Sequence, residues 1–170
     1  MRSNLSVTSV ADDAEPSTEL EGSYLKLLTL IERLHRQLLD VIKDELDRMG
    51  QKDINAVQAL LLYNIGDAEL TAGELRTRGH YLGSNVSYNL KKLVEAGYIS
   101  HKRSNADRRS VRVSLTDEGL DVREQLSALF QRHLGSVEKV GDVAVPMVKT
   151  TNLTLERMER FWADQIRFQL

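Results

Sequence analysis

The chain has no cysteine, two prolines and ten glycines in 170 residues, and only 5% of it is aromatic. Without cysteine there are no disulfide staples, no thiolate metal sites and no sensing of oxidants through a thiol. The scarcity of proline and glycine disfavours a many-stranded fold, whose turns need more punctuation. In a sequence rich in Leu, Glu, Arg and Ala it favours long helices. No apolar run approaches the ~20 residues of a membrane-spanning helix, and the opening stretch MRSNLSVTSVADDAEPSTELEG lacks the apolar core of a secretion signal. A soluble, cytoplasmic, mainly helical protein is expected, with one core rather than two.

Charge of either sign is not in short supply, but it is unevenly spread. The formal net charge is -2, yet Arg76 to Arg112 holds nine basic residues (Arg76, Arg78, Lys91, Lys92, Lys102, Arg103, Arg108, Arg109, Arg112) against Glu95 and Asp107, a net of +7. The remainder therefore carries -9. A concentrated basic segment in an acidic scaffold points to one face meant for a polyanion, and the plainer alternative is a solvated charged surface.

Residues 1–19 show no periodicity around Pro16 and are expected to be a flexible arm. From Tyr24 the positions Leu27, Leu28, Ile31, Leu34, Leu38, Val41, Ile42, Leu46 and Met49 recur in steps of three and four. They predict an amphipathic helix ending near Gly50 and long enough to overhang a small core. Asp53 reads as the N-cap of a second helix with Ile54, Val57, Leu60, Leu61 and Ile65 inward, and Gly66 is placed for an αL turn. Thr71 and Glu74 have capping-box spacing for a short third helix that ends by Gly79. Ser84 can cap a fourth helix running to Gly97, with Val86, Leu90, Leu93 and Val94 on one face. Then come YISHKR, a polar turn SNADRRS and VRVSL, two alternating strands with a basic tip. Thr116, followed by Asp117 and Glu118, opens a long helix in which Gly135 is a candidate bend. A last helix follows Asp142 and Pro146 and carries Leu153, Leu155, Met158, Phe161, Trp162 and Ile166.

Two short helices followed at once by a basic-tipped hairpin form the order of a winged helix-turn-helix: mainly α with a small β-hairpin wing. In that arrangement the second helix fits the major groove of B-DNA, and the wing reaches a neighbouring minor groove and its phosphates. With Val86, Leu90 and Leu93 inward, Ser84, Asn85, Ser87, Tyr88, Lys91 and Lys92 fall on or near the outward side. Asn can pair with an adenine edge, Ser can donate or accept, Tyr can meet a phosphate or a thymine methyl, and Lys neutralises phosphate. Arg103, Arg108 and Arg109 are the wing candidates, with Asp107 placed to orient Arg109 by a short ion pair. Taken singly, the helix reads equally as an amphipathic helix facing water, and the tip as a charged surface turn. The combination carries the DNA reading.

SNVSYNLKKLVEAGYI (84–99) and DRRSVRVSLTDEG (107–119) resemble the MarR (multiple antibiotic resistance regulator) family of bacterial regulators, the second stretch through its wing pattern of Asp, any residue, Arg, then a strand ending in Leu-Thr. The likeness runs from about residue 20 to the C-terminus. It implies a homodimer held by the first and last two helices, binding a pseudo-palindromic operator in double-stranded DNA and often released by a small aromatic or phenolic effector. On this view 20–50 and 116–170 are dimerisation helices of one MarR-like domain, and 53–115 is its DNA-binding lobe. The stretch GELRTRGHYLGSNVSYNLKKLVEAGY is similar to the regulators of L,D-transpeptidase genes within that family, which implies control of cell-wall remodelling or stress genes. Many family members have Arg where Tyr88 stands here, so their base preference at that step does not carry over.

Leu28, Ile31, Met158, Phe161 and Trp162 exceed what one small lobe can cover and are the expected dimer contacts. Tyr24, His35 and Tyr63 offer polar tips on apolar faces and are candidates for an effector pocket, as well as ordinary core or interface residues. The histidines at 35, 80, 101 and 133 have no metal-site spacing, and no nucleophile, P-loop or dinucleotide fingerprint is present, so neither enzyme activity nor a cofactor or metal is expected. The competing reading from another class is a winged-helix dimer that holds protein partners and has lost DNA binding.

Overall fold

The computed structural model describes residues 17–71, 74, 83–103 and 111–168, with the side chains of 83–86, 102, 103 and 111 outside that description. The order is α1 (Thr18–Arg48), α2 (Ala56–Ile65), β1 (Leu70–Thr71), α3 (Gly83–Glu95), β2 (Ile99–Arg103), β3 (Val111–Leu115), α4 (Asp117–Gly141) and α5 (Val145–Phe168). By contact the chain divides into two compact units after Val41.

Helix α1 starts six residues before the apolar periodicity does. Ser17 Oγ accepts the Leu20 amide at 3.2 Å, and Glu19 and Glu21 sit where the helix dipole favours acids. Capping sets this start, and capping is independent of the apolar pattern. Within the first unit, Leu20, Tyr24, Leu27, Ile31, Leu34, Leu38 and Val41 alternate steps of four and three, the spacing of a helix–helix seam. None of the seven is fully buried among the described residues, and Leu34 is 60% exposed.

The second unit holds the core. The end of α1 gives Ile42 and Leu46, α2 gives Ala59, Leu61, Leu62 and Ile65, and α3 gives Leu90 and Leu93. The sheet adds Ile99 and Val113, and α4 adds Val122, Leu126 and Leu129. Helix α2 is capped by Asn55, not Asp53. Asn55 Oδ1 accepts the Gln58 amide and Gln58 Oε1 accepts the Asn55 amide, each at 3.0 Å, a reciprocal capping box. Val57 is exposed, while Gln58, Ala59 and Leu62 turn inward. AVQALLLYNI is apolar nearly all round, so its periodicity selects no face and the neighbours do. Gly66 takes a positive φ of 66°, but its ψ of -151° lies outside the αL region.

The expected capping box at Thr71 is present: Glu74 N–H donates to Thr71 Oγ1 at 3.1 Å and Thr71 N–H to Glu74 Oε2 at 2.6 Å. The rest of the expected third helix lies outside the described residues. The hairpin is part of a three-stranded antiparallel sheet of order β1-β3-β2, in which Leu70 faces Val113 and Thr71 faces Arg112. A two-residue strand has no alternation of its own to read and exists only by pairing with β3. Thr116 caps α4 as expected, accepting the Gly119 amide at 3.2 Å, and α4 runs through Gly135 without interruption. At the far end Asp142 takes the left-handed conformation, and α5 begins with Pro146 in its first turn, where a missing N–H costs nothing.

Candidate nucleic-acid interface

The end of α3 and the root of the wing are one hydrogen-bonded joint. Gly97 at φ 86° sends its N–H to the Val94 carbonyl at 3.1 Å, and the Tyr98 N–H reaches the Leu93 carbonyl at 2.9 Å, a Schellman closure that glycine makes without Cβ strain. Chain direction is thereby fixed for β2. Across the sheet root the Tyr98 carbonyl accepts the Thr116 N–H at 3.1 Å, and the Thr116 hydroxyl donates to the Gly97 carbonyl at 2.7 Å. A Cβ on Gly119 would fall inside van der Waals contact with that same Tyr98 oxygen, so only glycine lets α4 approach so closely. Helix α3, wing and α4 are therefore tied at a single point.

Tyr98 also reaches back to the loop after α1. Its hydroxyl donates to Asp53 Oδ2 at 2.8 Å, while Gln51 Nε2 donates to Asp53 Oδ1 at 3.0 Å and contacts the Tyr98 hydroxyl oxygen. This is what Asp53 does in place of capping. Burial, then the hydrogen bond and charge of Asp53, push the Tyr98 hydroxyl up to about 12. Since the folded value lies above the ordinary ~10, this contribution to stability is complete below pH ~10 and fades as pH rises toward 12. Unfolding measured between pH ~9 and ~12 should show a loss on the order of 2 kcal/mol that Tyr98→Phe lacks. Identical pH profiles for the two proteins would contradict it.

A buried carboxylate ties the end of α1 to α4. Glu45 is only 8% exposed, and it receives Arg132 Nη2 of α4 at 2.5 Å and Arg48 Nη1 at 3.4 Å. Arg123 of α4 pairs with Asp67 at 2.6 Å, just ahead of β1. These contacts brace the frame on which α3 is carried.

On α3, Leu90 and Leu93 are buried and Val94 is half-buried, while Ser87, Lys91 and Lys92 are exposed and Tyr88 is 62% exposed. Ser84 and Asn85 occupy the first turn of this helix, with side chains outside the described residues. Arg103 is the last residue of β2 and is paired with Val111; the tip with Arg108 and Arg109 lies outside the described residues, as does His80. In the wing, the register sets Lys102 directly opposite Arg112. The register brings this pair together, and neither residue stood out in sequence beyond its share of the basic segment.

Tyr24 is half-exposed in the first unit and His35 is exposed there; Tyr63 packs edge-on against Phe130, ring centres 5.1 Å apart. That aromatic contact gives the Tyr63 ring a packing role. Leu28, Ile31, Met158 and Trp162 are half-exposed and Phe161 is exposed, and α5 contains no buried residue at all. Among the described residues no group of three His, Asp or Glu could hold a metal ion, and no helix is long and apolar enough to cross a membrane.

Residues 54–119 match a family model described as a winged helix DNA-binding domain. Over 149 residues the chain is 37% identical to the exopolysaccharide II synthesis transcriptional activator ExpG of Rhizobium meliloti, covering 86% of this chain and 75% of ExpG. Among solved structures, a mutant MarR from E. coli complexed with operator DNA superposes with TM-score 0.66 at 24% identity, over 82% of this chain and 97% of that one. AbsC, a MarR family transcriptional regulator from Streptomyces coelicolor, superposes with TM-score 0.67 at 16% identity, over 88% and 98%.

Proposed function

This chain belongs to the MarR family of winged helix-turn-helix transcription regulators, and from that premise we propose that it acts as a homodimer on a pseudo-palindromic operator, with α3 in the major groove and the wing at the adjacent minor groove. The observation that carries this reading is the location of the basic segment. Seven of its nine bases lie between the start of α3 and the end of the wing, including Lys102 opposite Arg112. A protein-interaction module has no need of so many bases gathered in one stretch, whereas a phosphate backbone is neutralised by them. Retention on random duplex DNA that falls steeply with salt separates the two readings.

The α3 face of Ser84, Asn85, Ser87 and Tyr88 is proposed to read bases, and Lys91, Lys92, Arg103, Arg108 and Arg109 to engage phosphates or the minor groove. Arg109→Ala should then weaken binding to every duplex by about 1 to 3 kcal/mol and flatten the salt dependence. Asn85→Ala should reduce discrimination between operator and scrambled DNA and leave the salt slope nearly intact. Both variants are to be checked for folding and mass first, because Asn85 lies in the first turn of α3 and can help cap it. Equal weakening of specific and scrambled DNA by Asn85→Ala, or no change from Arg109→Ala, overturns these roles.

A small aromatic or phenolic effector is proposed to act by changing the spacing of the two recognition helices, with Tyr24, His35 and Tyr63 as the side chains to test. The target genes are proposed to be those of cell-envelope construction. ExpG is by name an activator of exopolysaccharide II synthesis, and the likeness to regulators of L,D-transpeptidase genes points the same way. Selection of bound fragments from the source genome identifies the genes and the operator together.

A further inference from the structure

Glu95 breaks the charge pattern of the face just assigned to DNA. Lys91 and Lys92 lie three and four residues after Tyr88 and four and three before Glu95, and all four are exposed, so they share one side of α3. The Glu95 carboxylate holds both lysines, Lys92 Nζ at 3.1 Å from one oxygen and Lys91 Nζ at 3.8 Å from the other. The contact is felt by both partners: the hydrogen bond and charge of Glu95 raise the Lys92 ammonium, and those of Lys92 lower the Glu95 carboxyl.

Helix stability does not account for an acid at this position. Glu95 is the last residue of α3, where the carbonyl end of the helix dipole disfavours negative charge. Lysine ahead of glutamate is also the weaker orientation for pairs at this spacing. Exposed ion pairs add little to a fold, and the helix end is already closed by the Gly97 and Tyr98 amides.

We propose that Glu95 is a built-in competitor for DNA phosphate: by holding Lys91 and Lys92, it lowers the affinity of the recognition face for duplex DNA of any sequence. This rests on the reading of α3 as the DNA-facing helix. A phosphate must displace the carboxylate to use either lysine, and the three residues together present one net positive charge where the lysines alone would present two. Sequence-independent binding is almost wholly electrostatic, so a brake on it shortens residence on non-target DNA.

The test is Glu95→Gln in the full-length chain, titrated with a fluorescent random duplex from about 50 to 200 mM salt, with circular dichroism to confirm unchanged helix content. Relieving one charge per recognition helix engaged should tighten binding by about five-fold at ~0.15 M salt and steepen the salt slope by about 0.9, the counterion-release contribution of one phosphate contact. In a Lys91→Met, Lys92→Met background the same change should alter affinity by less than about two-fold, because no lysine is left to release. Salt-dependent binding that Glu95→Gln leaves unchanged overturns the proposal while the DNA reading stands. Equal tightening with and without the lysines also overturns it, since Glu95 would then act by direct repulsion of phosphate. A wild-type chain without salt-dependent duplex binding overturns the DNA reading itself, a result distinct from the other two.

Discussion

Deleting residues 142–170 is expected to leave a folded monomer whose operator affinity is lower by about two orders of magnitude or more. The deletion removes α5, which contributes no buried residue, so every core side chain from Ile42 to Leu129 stays in place. What goes is an apolar surface left largely exposed among the described residues: Phe161 is 49% exposed and Ile166 is 80% exposed, and Met158 and Trp162 are half-exposed. Surface of this kind on a chain this small is a contact for another molecule. In the proposed homodimer a second copy supplies a second recognition helix, and losing it removes the effective-concentration gain of about 10²- to 10⁴-fold from two linked half-sites. Light scattering should report twice 19.3 kDa for the full chain and a single truncated chain after deletion. A full-length monomer at micromolar concentration, or a truncated protein that stays dimeric, would sink the proposed assembly.

Leu93→Ala should be the most damaging single truncation in the DNA-binding lobe, costing about 2 to 5 kcal/mol. Leu93 is 0% exposed, and its carbonyl also accepts the Tyr98 amide that closes α3, so the cavity opens where helix and wing are joined. For a chain of this length that corresponds to a fall of roughly 5 to 15 °C in melting temperature. Tyr88→Ala, five residues earlier on the exposed face, should stay within about 0.5 kcal/mol of wild type while changing DNA binding. A melting shift below about 2 °C for Leu93→Ala would show that α3 is not seated as described.

The sequence carried the helices well where one face alone was apolar. Leu90, Leu93 and Val94 pointed α3 inward, Thr116 and the Thr71–Glu74 pair announced their caps, and the basic segment marked the face proposed for DNA. It failed at α2, where an almost uniformly apolar helix offers no preferred face, and at β1, two residues long, which owes its existence to β3. Asp53 looked like a cap because any Asp before an apolar run does. Two residues on, Asn55 competes for the same role, and Tyr98, 45 residues away, takes Asp53 for itself.

Element type, order and the sign of the charge on each segment were thus fixed locally, by side-chain periodicity, capping chemistry and composition, all of which act over a few residues. Which acid answers which base was decided only by the tertiary structure. Glu45 meets Arg132 and Asp67 meets Arg123, and strand register likewise sets Lys102 opposite Arg112 in the wing, because packing and register bring together residues that no short-range pattern relates. The close approach of Gly119 to the Tyr98 carbonyl is of the same kind: a glycine in the first turn of a helix has no visible reason in sequence, and its reason is the backbone that folding lays against it.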